Sequence, residues 1–285
     1  MFRQRSQQLK NNNYLCYSVR VLFTKPAPKQ SVRTGAPCEN GGICREICDV
    51  SQRRYNCACP AGFAGHSCQF LLRTCKDVKM LKNVTVNGVY TILDRDNNSF
   101  PVYCSFGPEA GFVWTLIQSY ALENNDTFAS KAFYLHDMPI NQAAPEWGSY
   151  RLSMSRMRYI ANSSTHWRAT CNFPTDGVDY QDYICPSLSK VDLLAAPDEA
   201  FFCGWYDFVQ IRGIDCTNCT AFTIYGEAFE FHIDSWATHP VSCDFNGQDG
   251  VVHSEDNFGY YEYANPAFRC SSSPESTTQY WFGSQ

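Results

Sequence analysis

Six cysteines fall between Cys38 and Cys68, in 31 residues reading CENGGICREICDVSQRRYNCACPAGFAGHSC. So short a segment cannot bury enough apolar surface to fold on a hydrophobic core alone. Cross-links must supply much of its stability, each typically contributing ~2–4 kcal/mol. Its most specific spacing is at the end: Cys57-Ala-Cys59, then Pro60, Gly62, Phe63, Gly65 and Cys68. Gly62 and Gly65 can take the positive φ that other residues resist, and Phe63 gives the loop one aromatic to pack on. A metal cage is the rival reading of such dense thiols. The single histidine here, His66, has no metal-ligand spacing to the Cys57-x-Cys59 pair. Bridges are therefore expected, and no metal or other cofactor.

The rest of the composition agrees with an oxidising compartment. Sixteen cysteines among 285 residues do not suit a reducing cytosol. The formal net charge of −5 draws the chain to neither nucleic acid nor anionic lipid. There is no run of ~18 apolar residues, so no membrane insertion is expected. Residues 1–13 are basic and polar, and the following run from Tyr14 to Phe23 is interrupted by Ser18 and Arg20, so no signal peptide is present in this chain. Residues 1–37, broken by Pro26, Pro28, Gly35 and Pro37, read as a leader and linker at the truncated end of a longer secreted or surface-attached chain. An extracellular location is expected.

Asn40-Gly41-Gly42 before Cys44, Tyr55 before Cys57-x-Cys59, and Gly62-Phe63-x-Gly65 before Cys68 together resemble an EGF-like module over residues 38–69. The resemblance implies bridges first–third, second–fourth and fifth–sixth, which are Cys38–Cys48, Cys44–Cys57 and Cys59–Cys68. A second placement of the same pattern makes Cys44 the third cysteine. Cys38 then pairs with Cys57, Cys48 is an extra, and Cys16 is the available first cysteine. Six cysteines allow 15 pairings, and the first placement is the expectation, since it leaves no cysteine of the module orphaned. The acidic motif that calcium-binding modules carry before their first cysteine is missing from residues 31–37, and Val50 stands where the hydroxylation pattern needs Asp or Asn.

Composition changes at Cys75. Val89 to Leu93, Phe100 to Cys104 and Trp114 to Ile117 are short β-branched and aromatic runs that read as strands, with a turn at Asp94 to Asn98. The order Cys75-x-Asp77, Gly88-Val-Tyr90-Thr-Ile92, Phe100-x-Val102-Tyr103-Cys104 and Trp114-Thr-Leu-Ile117 is similar to the first subdomain of fibrinogen-like C-terminal domains, over residues 75–119. The resemblance implies a Cys75–Cys104 bridge and a fibrinogen-like globular domain over 75–285. The expected fold class is thus a small disulfide-rich EGF-like module plus a β-rich (α+β), disulfide-bonded, fibrinogen-like globular domain.

Beyond residue 120 no stretch continues that likeness. Trp147, Trp167, Trp205, Trp236 and Trp281 supply large apolar bodies, and Ala221 to Tyr225 and Phe229 to Ile233 read as strands. Arg151 to Ile160 leans to a helix. Cys171, Cys185, Cys203, Cys216, Cys219, Cys243 and Cys270 are odd in number, so one of them pairs with Cys16, pairs between chains, or stays free. Asp244, Asn246 and Asp249 around Gly247 and Gly250 describe either a calcium loop or an ordinary polar turn. Cys216-x2-Cys219 with His239-x3-Cys243 has zinc ligand types, and the disulfide context favours bridges instead. His232, Asp234 and His239 lie close in sequence without a nucleophile motif.

Sequons stand at Asn83, Asn97, Asn125, Asn162 and Asn218, candidate glycosylation sites in a secreted chain. The sequence points to an extracellular binding, adhesion or recognition protein, not an enzyme, whose partner is an extracellular protein or carbohydrate. Exposed aromatics of the larger domain can stack on sugars. The alternatives are a secreted hydrolase or a purely structural matrix component carrying an EGF-like module. Nothing in the sequence fixes the oligomeric state.

Overall fold

The structure, a computed structural model, describes residues 9–11, 14–16, 37–46, 55–107, 109, 111–235 and 242–285. The chain divides into two compact units, Met1–Phe70 and Leu71–Gln285.

In the first unit, strand β1 (Leu9–Asn11) pairs antiparallel with β2 (Tyr14–Cys16). Only this part of the Tyr14 to Phe23 run lies within the described residues. Strands β3 (Ile43–Glu46) and β4 (Tyr55–Ala58) form a second antiparallel pair, with Cys44 opposite Cys57. Two short strands follow, β5 (Phe63–Ala64) and β6 (Phe70–Leu71). The core is small: Cys38, Cys57 and Cys68, with Tyr55, Cys59 and Phe63 packed on it. Gly62 and Gly65 take φ of 85° and 96°. Gly42 is required for a different reason. A Cβ there would meet Cys68 Sγ at 2.7 Å and Glu39 O at 3.1 Å, so only glycine lets the chain fold back this tightly.

The first pairing above holds at Cys59–Cys68 and departs at Cys38. Cys59 is bonded to Cys68. The sulfurs of Cys38, Cys44 and Cys57 lie within 4.8 Å of one another, and that of Cys38 is in bonding reach of both others. One sulfur holds one partner. Cys38 and Cys57 share the core while Cys44 is exposed, so burial selects Cys38–Cys57, the second placement. The β3–β4 register brings Cys44 and Cys57 face to face, and the Gly42 turn then swings Cys38 over them. Cys48 lies outside the described residues.

The second unit is β-rich with several disulfides. It opens with helix α1 (Cys75–Lys82), which the sequence analysis left unread. Its cap is local chemistry: the Thr74 side chain accepts from Asp77 N, and Asp77 Oδ2 accepts from Thr74 N at 2.9 Å, a reciprocal capping box. Asn83 closes it in the left-handed region. Then come β7 (Gly88–Leu93), β8 (Ser99–Ser105), β9 (Val113–Ala121), α2 (Asn125–Phe128), β10 (Ser149–Arg151), α3 (Met154–Ala161), β11 (His166–Cys171), α4 (Phe173–Asp176), β12 (Tyr183–Cys185), β13 (Phe201–Ile211), β14 (Ile214–Gly226), β15 (Phe229–Asp234), β16 (Asp256–Asn257) and β17 (Thr277–Ser284). The turn at Asp94 to Asn98 is held by Asp94 Oδ1, which accepts from Asp96 N and Asn98 N.

Eleven of these strands form one antiparallel sheet, in the order β16-β15-β14-β13-β12-β11-β17-β9-β8-β7, with β10 also on β9. The last strand, β17, is inserted centrally between β9 and β11, and every residue of β9 and β17 is buried. Cys75 is bonded to Cys104, Cys171 to Cys270, and Cys203 to Cys243. Cys216 is bonded to Cys219 within β14, across a strand irregularity where Asn218 takes φ 51°. The thiols of the zinc constellation are consumed in bridges, and its His239 lies outside the described residues, as does Trp236. Trp167 and Trp281 are buried in the core, whereas Trp205 is exposed.

Candidate ligand-binding site

The odd cysteine of the second unit is Cys185, the free cysteine among the described residues. It lines a cavity of about 550 Å³ whose other walls are mostly aromatic. Strand β12 supplies Tyr183 and Cys185, the adjacent β13 supplies Asp207 and Phe208, and Tyr180 enters from the loop before β12. Phe112 and Trp114 come from the start of β9, and Glu109 from the loop before it.

The aromatic rings meet at steep angles. Tyr180 and Tyr183 have centroids 5.3 Å apart at 66°, Tyr180 and Phe208 6.2 Å apart at 87°, and Tyr183 and Phe208 6.1 Å apart at 49°. Phe112 stacks on Trp114 at 5.0 Å and meets His166 edge-on at 5.0 Å. Trp114 is also held by Arg168, whose guanidinium lies 4.7 Å from the Trp114 and Trp281 rings.

Arg168 is fully buried and needs compensation. It is ion-paired to Glu109 and donates to Ser105 Oγ at 3.1 Å. Glu109 Oε1 also accepts from Tyr183 Oη at 3.2 Å, while its Oε2 is buried without a hydrogen-bond partner. Asp207, partly exposed, stands 3.5 Å from His166 Nε2. Burial pushes the Cys185 thiol up to about 12, so it stays neutral at physiological pH. Burial likewise raises the Tyr183 hydroxyl well above its ordinary value. The cavity thus offers aromatic walls and carboxylates, with the nearby Arg168 and the lining thiol both held out of reaction.

The candidate residues singled out from sequence lie elsewhere. Asp244 Oδ2 accepts from Thr220 N at 2.9 Å and Thr220 Oγ1 at 2.7 Å, and Asn246 Oδ1 accepts from Gln248 N. The Arg212 guanidinium donates to the Gly247 and Asp249 carbonyls and pairs with Glu255. A side-chain cation thus takes up two carbonyls of that loop, and Asp244 and Asn246 accept from local donors as in a polar turn. His232 and Asp234 sit on β15 in the interior. His232 Nδ1 contacts the Glu230 carbonyl at 2.9 Å, its ring stacks 5.1 Å from Tyr260, and burial pulls its pKa down to about 4. Asp234 Oδ2 accepts from Ser254 Oγ at 2.7 Å. A histidine 1% exposed and held neutral is a core residue.

Four sequon asparagines, Asn83, Asn97, Asn162 and Asn218, are exposed. Asn125 is half-buried, and its Nδ2 donates to the Tyr260 carbonyl at 2.6 Å. None of the cavity residues except Trp114 and Cys185 was singled out from sequence. The signal present was density of aromatics around Phe112-Val-Trp114, Tyr180 to Tyr183 and Trp205 to Phe208, which only the sheet brings together.

Among known families, the EGF-like domain matches residues 34–67. Delta and Notch-like epidermal growth factor-related receptor from Mus musculus is 38% identical over 58 residues, which is 18% of this chain and 8% of that protein. An EGF-like domain is therefore present, followed by the β-rich unit with its disulfides. Among the described residues no helix is long and apolar enough to cross a membrane.

Proposed function

We propose that the chain is an extracellular recognition protein in which the EGF-like module serves protein interaction and the β-rich unit takes a ligand in the Tyr180–Tyr183–Phe208 cavity. The EGF-like match, the cross-linked core of both units and the receptor likeness of one segment support an extracellular setting. The observation that carries the ligand reading is the aromatic cavity itself, whose lining adds the Glu109 and Asp207 carboxylates and the uncharged Cys185 thiol. Such a site binds and orients; it lacks a poised acid, base or nucleophile. The likeness of residues 75–119 to the first fibrinogen-like subdomain is supported by the β7–β8–β9 meander and its Cys75–Cys104 clip. We read the larger unit as a relative of that class, with a protein or carbohydrate partner and no catalysis.

The test is a binding screen of the secreted chain and of its Tyr180→Ala variant against immobilised extracellular glycans and receptor ectodomains. At least one partner should be captured, and the variant should lose it. Capture that is the same for both proteins across the panel would overturn the cavity as the recognition site.

A further inference from the structure

We infer that the cavity is built for an organic cation, a ligand carrying a methylated ammonium group on an apolar body. The inference rests on the cavity being the ligand site and adds the chemical class of what enters it.

Three features of the lining argue for positive charge. Tyr180, Tyr183 and Phe208 present three rings at 49° to 87° to one another, with centroids 5.3 to 6.2 Å apart, so they form walls of a corner rather than a flat stack. The negative faces of such walls attract a cation placed within about 6 Å of each centroid. Both titratable side chains other than tyrosine and cysteine that line the cavity are acids, Glu109 and Asp207. Glu109 is 7% exposed and keeps one carboxylate oxygen, Oε2, without a hydrogen-bond partner. That oxygen is shielded, so a cation in the cavity acts on it through space across a low-dielectric wall and not by direct contact.

The other ligand classes fit less well. An anion would meet two carboxylates, and the nearby guanidinium of Arg168 is already taken by Glu109, Ser105 and the Trp114 and Trp281 rings. A neutral apolar group would cover the carboxylates without compensating them. A primary ammonium holds its water tightly, and rings cannot replace that water as hydrogen-bond acceptors. A methylated ammonium is larger and less hydrated, spreads its charge over its methyl groups and suits aromatic walls. The cavity's 550 Å³ accommodates such a group with several more carbons attached.

The experiment is calorimetric titration of the full chain with choline and with its neutral isostere 3,3-dimethylbutan-1-ol. Intrinsic tryptophan fluorescence, which includes Trp114, provides a second readout. The titrations are repeated on Asp207→Asn and Tyr180→Ala, two partly exposed positions whose folding is checked by thermal melting. The expected result is that choline binds at least about tenfold tighter than the isostere, and that each variant weakens choline by roughly fivefold or more, in line with one cation–π or charge contact. If both compounds bind equally and Tyr180→Ala weakens both, the cavity stands as a ligand site and the cation assignment falls. If choline binding is absent, or is indifferent to both variants, the assignment falls as well, and the panel screen above decides separately on the cavity.

Discussion

The indole of Trp114 rests against Gly283 at the spot a side chain would otherwise fill: a Cβ on Gly283 would come within 2.3 Å of Trp114 Cε3. The two residues are partners across β9 and β17. Trp114 has little room to step aside, since Phe112 stacks on it and the Arg168 guanidinium lies over its ring.

Gly283→Ala should therefore act as an overpacking substitution and cost ~1–3 kcal/mol. Thermal melting and tryptophan emission check this together. A variant with the wild-type melting temperature and an unchanged spectrum would show that Trp114 has room to move.

The Arg168–Glu109 pair is buried at both ends, so breaking it should cost far more than losing a surface pair. Arg168→Met leaves Glu109 buried without its cation, and a loss of about 3–5 kcal/mol is expected. The double variant Arg168→Met with Glu109→Leu should recover much of that loss, because neither charge then remains. Chemical denaturation measures both. A single variant within ~1 kcal/mol of wild type, the median worth of an exposed pair, would show that water reaches the pair.

Burial pushes Glu230 up to about 7 and Asp256 up to about 7, both above their unfolded values. Each binds its proton more tightly folded than unfolded. The stability they contribute is complete below the unfolded carboxylate range and is lost as pH rises through about 7. His232, pulled down to about 4, has the opposite sign: its contribution is present above its unfolded value near 6.5 and is lost as pH falls through about 4. Between pH ~6.5 and 8 the two acids outweigh the remaining protonation of unfolded His232, so the melting temperature should fall. Glu230→Gln keeps one of the two acceptor oxygens that Tyr120 and Gln118 use, removes the titration and should flatten that fall. An equally steep fall in the variant would remove Glu230 as a cause.

A non-reducing peptide map should contain Cys38–Cys57, Cys59–Cys68, Cys75–Cys104, Cys171–Cys270, Cys203–Cys243 and Cys216–Cys219, with Cys185 as a thiol. Cys44 should be bridged to neither Cys38 nor Cys57. Cys171–Cys270 closes the longest loop, a separation of 99 residues, and its paired replacement by alanine should cost ~4–5 kcal/mol on the chain-entropy estimate. Recovery of a Cys44–Cys57 peptide would restore the first pairing.

Glycan occupancy in a secreted preparation should be high at the exposed Asn83, Asn97 and Asn162 and lowest at Asn125. There the acceptor nitrogen is committed to the Tyr260 carbonyl once the unit folds. Site-resolved mass spectrometry reads this directly. Full occupancy at Asn125 would show that glycosylation precedes that contact.

What the sequence determined was local. The Cys57-x-Cys59 spacing and its glycines specify the EGF-like loop, because a bridge and a positive φ are constraints over a few residues. The β-branched runs at 89–93 and 100–104 specify strands, and the apolar spacing at 152, 154, 157 and 160 a helix, since side-chain period is a property of the chain itself. Helix α1 went unread although Thr74 and Asp77 carried its capping box, because its apolar face is short and its first residue is a bridged cysteine. The tertiary structure decided the rest. Burial chose Cys57 over Cys44 as the partner of Cys38. The insertion of β17 between β9 and β11 set Gly283 under Trp114 and carried Arg168 to Glu109. The cavity follows from that insertion and from the pairing of β12 with β13, contacts spanning from tens of residues to more than a hundred. Pairings at such distances are fixed by packing across the whole sheet, and no spacing along the chain encodes them.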